Sequence, residues 1–172
     1  GIRDVERSRG LGDVYKRQEG GSVMNGELLD NLCGRFGDAI KEINVKGPRR
    51  VFITVSPDAY KEVIHFLHEQ GFDFLEAITG IDAGDCFVVM AHIGKSVSIT
   101  VRTRIPRDDP KIPSIVDVYP GAEVYEREAH EMLGIVFEGN PRLERLLLPE
   151  DWPKGVYPLR KDYDPVHPES LR

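Results

Sequence analysis

The stretch FDFLEAITGIDAGDCFVVMAHIGKSVSITVRTR, residues 72–104, decides the fold class of this chain. It contains three runs typical of strands, residues 72–82, 86–93 and 96–104, which are separated by the turn signals AGD and GK. In the last run polar side chains alternate with apolar ones or threonine, the pattern of a strand with one buried and one wet face. Because strands joined by such short turns pair antiparallel, the stretch predicts an antiparallel meander.

The flanking segments predict one further strand and several helices. The segment RRVFITV, residues 49–55, is rich in β-branched and aromatic residues and follows a Gly-Pro break, so it is predicted to be a strand. Apolar residues at helical spacing, with cap and stop residues such as Asn25, Ser56 and Gly134, predict helices over residues 25–43, 56–70, 114–119 and 122–133. We therefore predict an α+β fold of two layers, a mostly antiparallel sheet with helices on one face.

The end of the chain predicts an extended segment. Residues 138–172 hold six of the twelve prolines, at positions 141, 149, 153, 158, 165 and 168, which excludes a long helix or a central strand. The same segment is too apolar to be left in water, since it contains Leu143, Leu146, Leu147, Leu148, Trp152, Tyr157 and Leu159. Either the domain itself or another chain is expected to cover it.

Composition limits the classes of function. The 172 residues suffice for one domain, and the net charge of -6 argues against a general nucleic-acid surface. No apolar run approaches the roughly 20 residues needed for direct membrane insertion. Cys33 and Cys86 lie far apart and form no Cys-x-x-Cys unit, so this chain alone provides no iron-sulfur or zinc site. Residues 1–23 fit neither a signal nor a transit peptide and are expected to be a non-native leader before Met24.

The segment YEREAHEMLG, residues 125–134, carries the candidate chemistry. It contains half of the zinc-protease pattern His-Glu-x-x-His, but Gly134 stands where the second histidine would have to be, so no metal site is predicted. General acid/base catalysis by Glu126, Glu128 or Glu131 would require burial or a like charge that separates their pKa values. No catalytic residue and no cofactor-binding residue is predicted.

The same helix is expected to have two faces. Its apolar residues Tyr125, Ala129, Met132 and Leu133 are predicted to face the core, whereas Glu126, Arg127, His130 and Glu131 are predicted to point elsewhere. Arg127 stands four positions from both Glu123 and Glu131, a spacing that predicts mutual neutralisation. A free-standing carboxylate enzyme and a generic interaction domain remain alternatives at this point.

Two longer motifs carry a family resemblance. VDVYPGAEVYEREAHEMLGIVFEGNP, residues 116–141, followed by LLLPEDWPKGVYPLRKDY, residues 146–163, resembles the thirty-kilodalton subunit family, or C-subunit family, of respiratory complex I (NADH-quinone oxidoreductase) and of related energy-converting nickel-iron hydrogenases. The Glu126-Arg127-Glu128 triplet and the Arg160-Lys161-Asp162 element match its signature positions. Asn140, Glu144 and Tyr157 depart from residues usual in the family, and the Gly-Val-Tyr-Pro-Leu-Arg form looks more like the hydrogenase and archaeal branches.

The resemblance implies a subunit without an active site of its own. Residues 24–137 would form the α+β domain, and residues 138–172 would form an extended tail that binds the large catalytic subunit, with iron-sulfur subunits as further partners. Iron-sulfur clusters and a quinone or nickel-iron site would belong to those partners, and the complex would couple electron transfer to ion translocation at the cytoplasmic side of the membrane. The implied partner interface comprises Glu126, Arg127, Glu128, Glu131, Trp152, Tyr157, Arg160, Lys161 and Asp162.

Overall fold

The computed structural model describes residues 26–47 and 49–165, so residues 1–23 and the cap residue Asn25 lie outside the described residues. These residues contain three α-helices: α1 (Gly26–Phe36), α2 (Tyr60–Glu69) and α3 (Ala122–Leu133). The strands are β1 (Ile40–Val45), β2 (Arg50–Val55), β3 (Phe74–Asp82), β4 (Cys86–Gly94), β5 (Ser98–Pro106), β6 (Lys111–Pro113) and β7 (Val136–Glu138).

The main sheet is mixed and has the strand order β1-β2-β5-β4-β3. Strands β3, β4 and β5 form the predicted antiparallel meander, and β1 and β2 form a second antiparallel pair. The two parts meet where β2 pairs parallel to β5, from Arg50 beside Ser98 to Val55 beside Thr103. This parallel contact is possible because the chain passes through α2 between β2 and β3. The predicted α+β class is confirmed.

The helices cover one face of this sheet, also as predicted. Helix α2 packs on β5, helix α3 packs on β3, and α1 contacts α2 through the rings of Phe36 and Phe66, whose centroids lie 5.8 Å apart. Alternate strand residues point into this layer, where they are buried: Val51, Ile53, Val55, Phe87, Val89, Ala91, Ile93, Ile99, Val101 and Ile105. Burial of these side chains is the main favourable term for folding.

Two local predictions are wrong. The first helix ends at Phe36, and Ile40–Val45 forms β1, because Gly34 and Gly37 weaken the helix and the following segment pairs with β2. The predicted helix over residues 114–119 is a turn. Ser114 does not cap a helix there; its hydroxyl accepts the Val116 N–H at 3.2 Å and itself donates to Glu126.

The loop before that turn contains β6, which the sequence did not predict. Strand β6 pairs parallel to β7, with Ile112 beside Phe137, and so brings the beginning of the tail next to α3. Beyond Glu138 the described residues form turns, bends and irregular segments, with neither a helix nor a strand. Within residues 26–47 and 49–165, no helix has the length and apolar character required to cross a membrane.

Candidate functional site: the charged helix and the tail it holds

Helix α3 ends at a glycine that no other residue can replace without strain. Gly134 adopts φ +77°, and its N–H donates to the His130 carbonyl at 2.8 Å, which terminates the helix. A Cβ at this position would lie 2.5 Å from Arg160 Nη2 and 2.5 Å from Tyr157 Cζ. Both the backbone conformation and the space therefore require glycine where α3 meets the tail.

Glu126 is fully buried and holds three segments together. Its carboxylate accepts hydrogen bonds from Ser114 Oγ at 2.7 Å, from the Ile115 N–H at 2.9 Å and from Asn140 Nδ2 at 2.8 Å. Burial raises the pKa of Glu126, and the three hydrogen bonds act in the opposite direction. Burial, followed by the nearby Glu126 charge, also raises the pKa of Tyr60.

Arg127 and Glu131 hold the backbone of the tail. The guanidinium of Arg127 donates to the carbonyls of Glu144 at 3.1 Å and Arg145 at 2.7 Å. One turn further along α3, the Glu131 carboxylate accepts the successive N–H groups of Leu146, Leu147 and Leu148 at 3.2, 2.7 and 3.0 Å. Hydrogen bonds to ionised groups are stronger than neutral ones, so five backbone groups of the tail are fixed by two side chains.

The C-terminal carbonyls of α3 are satisfied by the second part of the tail. The Leu159 N–H donates to the Met132 carbonyl at 3.1 Å, and Arg160 Nε donates to the Leu133 carbonyl at 2.7 Å. The Arg160 guanidinium also lies 4.2 Å from the Tyr157 ring centroid and 5.1 Å from that of Phe87. A cation at this end of the helix is further favoured by the helix dipole.

A buried aspartate attaches the following residues to the end of β3. Asp82 accepts from Arg107 Nη1 at 2.6 Å, from the Gly84 N–H at 2.8 Å and from the Lys161 N–H at 2.9 Å. Arg107 in turn pairs with Asp162, with Nη2 2.9 Å from Oδ1. The hydrogen bond from Arg107 and the two backbone N–H groups hold the pKa of Asp82 well below its usual range.

Between these attachments the tail forms a loop around Trp152. Trp152 Nε1 donates to the Val156 carbonyl at 2.9 Å, and Arg145 donates to the carbonyls of Trp152, at 3.0 Å, and Pro149. The indole lies near Tyr163, with ring centroids 6.2 Å apart. The loop forms one wall of an open cavity of about 190 Å³, and His130 and Glu131 of α3 form part of another.

The structure brings the predicted interface residues into one region but buries several of them within the chain. Glu126, Arg127 and Glu131 are buried, Trp152, Tyr157 and Arg160 are half-buried, and Glu128, Lys161 and Asp162 are exposed. The three buried residues contact other segments of the same chain: residues 114–115 and Asn140 in the case of Glu126, and residues 144–148 in the case of Arg127 and Glu131. Tyr125 and Met132 pack partly buried against the core. A partner interface at these nine residues stays a prediction.

The predicted ion pairs of the helix are only partly present. Arg127 Nη1 lies 3.9 Å from Glu123 Oε1, as the spacing predicts, but Glu131 accepts backbone N–H groups instead of pairing with Arg127. The sequence analysis did not identify Asp82 or Arg107 as site residues, and it named Asn140 only as a departure from the family pattern. Asp82 could have been found, since an acid that ends a strand on the buried side of its alternation needs a partner; no local pattern indicated Arg107, which lies 25 residues away.

This arrangement is suited to holding a segment of the chain. The three buried ionisable groups of α3 already have partners in the chain, and among the described residues no group of three or more potential ligands could hold a metal ion. Their hydrogen bonds go mostly to main-chain atoms, which fixes the course of the tail without depending on its side chains.

The sequence of this chain is similar to one known protein family and to several of its members. The sequence model of the family described as respiratory-chain NADH dehydrogenase, 30 Kd subunit, matches residues 53–169. The C-subunit of the F(420)H(2) dehydrogenase of Methanosarcina mazei is 38% identical over 143 residues, which cover 80% of this chain and 90% of that protein. The membrane-bound hydrogenase subunit beta of Pyrococcus furiosus is 35% identical over 161 residues, 87% of this chain and 92% of that one.

The fold of this chain is also similar to that of subunits in solved structures. A chain of the membrane-bound sulfane sulfur reductase, an archaeal respiratory membrane complex, superposes with a TM-score of 0.72 and 29% identity, over 81% of this chain and 85% of that one. The trypsin-resistant fragment (1-134) of Nqo5 superposes with a TM-score of 0.58 and 26% identity, over 67% of this chain and 99% of the fragment. The fold, the charged helix and these matches define a subunit of a complex-I-like respiratory complex. The chain belongs to the family of the 30 Kd subunit of the respiratory-chain NADH dehydrogenase.

Proposed function

We propose that this chain is a non-catalytic subunit that docks on the large catalytic subunit of a complex-I-like membrane oxidoreductase. In that position it supports electron transfer coupled to ion translocation without taking part in the chemistry. One observation carries the proposal: the side chains of Arg127 and Glu131 form hydrogen bonds with five backbone groups of the chain's own tail. Charged residues used in this way stabilise a surface of fixed shape.

The fixed tail presents apolar side chains to water, which supports docking. Leu147 is 60% exposed and Leu159 is 61% exposed, although the N–H of each is held by Glu131 or by the Met132 carbonyl. Exposed apolar groups on an immobilised backbone favour association, because little conformational freedom is lost on binding. Glu128 and Val124 of α3 are exposed as well.

A free-standing carboxylate enzyme is a poorer explanation of the same residues. Glu126 has no exposed surface, and both oxygens of Glu131 accept N–H groups of the tail. A general acid or base has to reach the proton that it transfers, and only Glu128 of the three candidates is open to solvent. The raised pKa of Glu126 follows from its burial and not from a substrate pocket.

The cofactors of the reaction are proposed to belong to the partner subunits. These would be iron-sulfur clusters together with a quinone site, or with a nickel-iron site in the hydrogenase branch. Both branches are represented among relatives of similar identity, 38% for a dehydrogenase subunit and 35% for a hydrogenase subunit, so identity does not separate them. The subunit would associate peripherally with the membrane, on its cytoplasmic side, through the complex.

Affinity purification of the tagged chain from its native host, followed by mass spectrometry, tests the proposal. We expect a large subunit and iron-sulfur subunits in equal stoichiometry, and iron-sulfur signals in electron paramagnetic resonance of the purified complex. Paired cysteine motifs of a nickel site in the large subunit would assign the hydrogenase branch, and their absence would assign the dehydrogenase branch. Recovery of the chain alone as a folded monomer would contradict the docking function.

A further inference from the structure

A cavity lies beneath the Trp152 loop, among residues that hold the tail. It opens between the C-terminal half of α3 and the loop that follows Leu148, and its walls include His130, Glu131, Arg145, Trp152 and Tyr157. Leu148 and Val156 add apolar surface to these walls. The cavity lies beside the segment from which Leu147 projects into solvent.

Most polar groups in the cavity wall already have partners. Glu131 accepts three N–H groups, and Arg145 donates to two carbonyls. His130 Nδ1 lies 2.8 Å from the Ile135 carbonyl oxygen, and because a carbonyl can only accept, this nitrogen carries the hydrogen. In the neutral ring, Nε2 is then left as a hydrogen-bond acceptor.

The volume of the cavity limits the size of the group that could occupy it. Pockets for cofactors and drug-sized ligands usually measure about 300–1,000 Å³, and a volume of 190 Å³ lies below that range. A single water takes up about 30 Å³, so the cavity is several times larger than one bound water needs. One large side chain matches it best.

The chemistry of the cavity walls indicates which type of side chain would bind there. The rings of Trp152 and Tyr157 favour an aromatic occupant, and the acceptor on His130 favours one with an N–H or O–H donor. The wall contains one carboxylate, Glu131, and two cations, Arg145 and Lys154. Glu131 and Arg145 are bonded to main-chain groups of the tail and Lys154 is exposed, so a neutral occupant with a donor is compatible with them. A tyrosine or tryptophan has these properties, and both are enriched as anchors at protein interfaces.

We propose that this cavity receives one tyrosine or tryptophan side chain from a neighbouring subunit of the complex. The proposal rests on the docking function proposed above and specifies one anchor within it. We take the source to be a different subunit, because residues 26–47 and 49–165 of this chain include no exposed tyrosine or tryptophan that a second copy could offer. The exposed leucines beside the cavity would then surround the anchor with apolar contacts.

Variants of the tagged chain, purified with the complex from the native host, test the anchor. His130→Asn retains an N–H donor for the Ile135 carbonyl and removes Nε2, whereas Leu148→Trp fills the cavity from within. We expect both variants to reduce recovery of the neighbouring subunits at least tenfold. His65→Asn, the same substitution at an exposed histidine of α2, serves as the matched control and should leave recovery unchanged.

A photo-crosslinking residue in place of Lys154, an exposed wall residue, identifies the occupant in the assembled complex. A crosslink to a peptide of a neighbouring subunit that contains tyrosine or tryptophan supports the proposal. A crosslink to lipid, to quinone or to a second copy of this chain overturns it, as does normal assembly of both cavity variants. In these cases the neighbouring subunits still co-purify with the wild-type chain, so the proposed docking function is not contradicted. Recovery of the wild-type chain alone would contradict both the docking function and the anchor.

Discussion

Glu131 is the residue on which the course of the tail depends most directly. Its two carboxylate oxygens accept three consecutive N–H groups, an arrangement that an ionised carboxylate can satisfy and a neutral amide cannot. A glutamine at this position has a single acceptor oxygen and would turn an N–H₂ group towards N–H donors of the tail. The effect of this change should therefore be confined to the tail.

Glu131→Gln should speed amide hydrogen exchange at residues 146–148 while leaving the sheet amides unchanged. An unpaired buried donor costs about 1–3 kcal/mol, which corresponds to roughly 5- to 150-fold faster exchange by local opening. Trp152 is the only tryptophan of the chain, so a red shift of its fluorescence reports the same loosening. Glu128→Gln, an exposed position on the same helix, is the control. Unchanged exchange in Glu131→Gln would show that the three hydrogen bonds do not hold the tail.

Gly134→Ala should destabilise the chain, whereas Gly121→Ala at the other end of α3 should not. At Gly134 the alanine would adopt φ +77° and place its Cβ against Arg160 and Tyr157; strain of this kind costs about 1–3 kcal/mol. Gly121 has φ -64° and no atom within 4 Å of an added Cβ, so alanine there should be neutral or slightly stabilising. The two urea midpoints measure the difference, and equal midpoints would contradict the expectation.

At the scale of elements, α3 links the sheet to the tail. One side of the helix packs Ala129 and Leu133 against Gly80 of β3, and its charged residues Arg127 and Glu131 bind the tail. The Asp82 carboxylate at the end of β3 makes a second attachment, to Arg107 and to the Lys161 N–H. The tail is therefore held at two separate elements by two kinds of charged contact.

The Asp82 attachment should weaken in acid. Since Arg107 and two N–H groups lower the pKa of Asp82 in the folded chain, the ionised form stabilises the fold. This contribution is fully present above the unfolded pKa of about 3.9 and is lost as the pH falls towards the lower folded value. We expect wild-type Trp152 fluorescence to change below about pH 4, in the range set by that reference pKa.

Asp82→Asn isolates this contribution from other carboxylates. The variant should have a looser tail at neutral pH and should lack the part of the acid transition that Asp82 causes. Asp85→Asn, an exposed aspartate in the same turn, should titrate like the wild-type chain. If Asp82→Asn and the wild-type chain gave the same fluorescence between about pH 2 and pH 7, where carboxyl groups ordinarily titrate, another group would control the tail.

At the scale of the whole molecule, the described residues form the layered sheet and helices, followed by residues 139–165, which are attached to them mainly by side chains. We expect a chain that ends at Gly139 to retain the five-stranded sheet and to unfold cooperatively, because the large apolar cluster lies before that residue. Circular dichroism and urea unfolding measure this. Loss of cooperative unfolding would show that the tail is part of the domain core.

The sequence predicts the sheet better than it predicts the site. Alternating patterns and short turns in residues 72–104 identify β3, β4 and β5, because these strands are formed by local signals. The sequence analysis does not predict strand β1, because the spacing of Ile40 and Ile43 fits a helix as well as a strand. The pairing with β2 is what makes this segment a strand. The family motif indicates which charged residues matter, but their partners are backbone groups of residues 144–148, which no side-chain pattern can reveal.

The contact of α3 with main-chain atoms has a consequence for redesign of the tail. Glu131 requires an N–H at positions 146, 147 and 148 and places no demand on the side chains there. Proline is the one residue that lacks this group, and the proline-rich tail has its prolines on either side of these positions, at 141 and 149. Position 147, where the side chain projects into solvent, is thus a site at which a combinatorial library could vary partner preference without altering the scaffold that presents it.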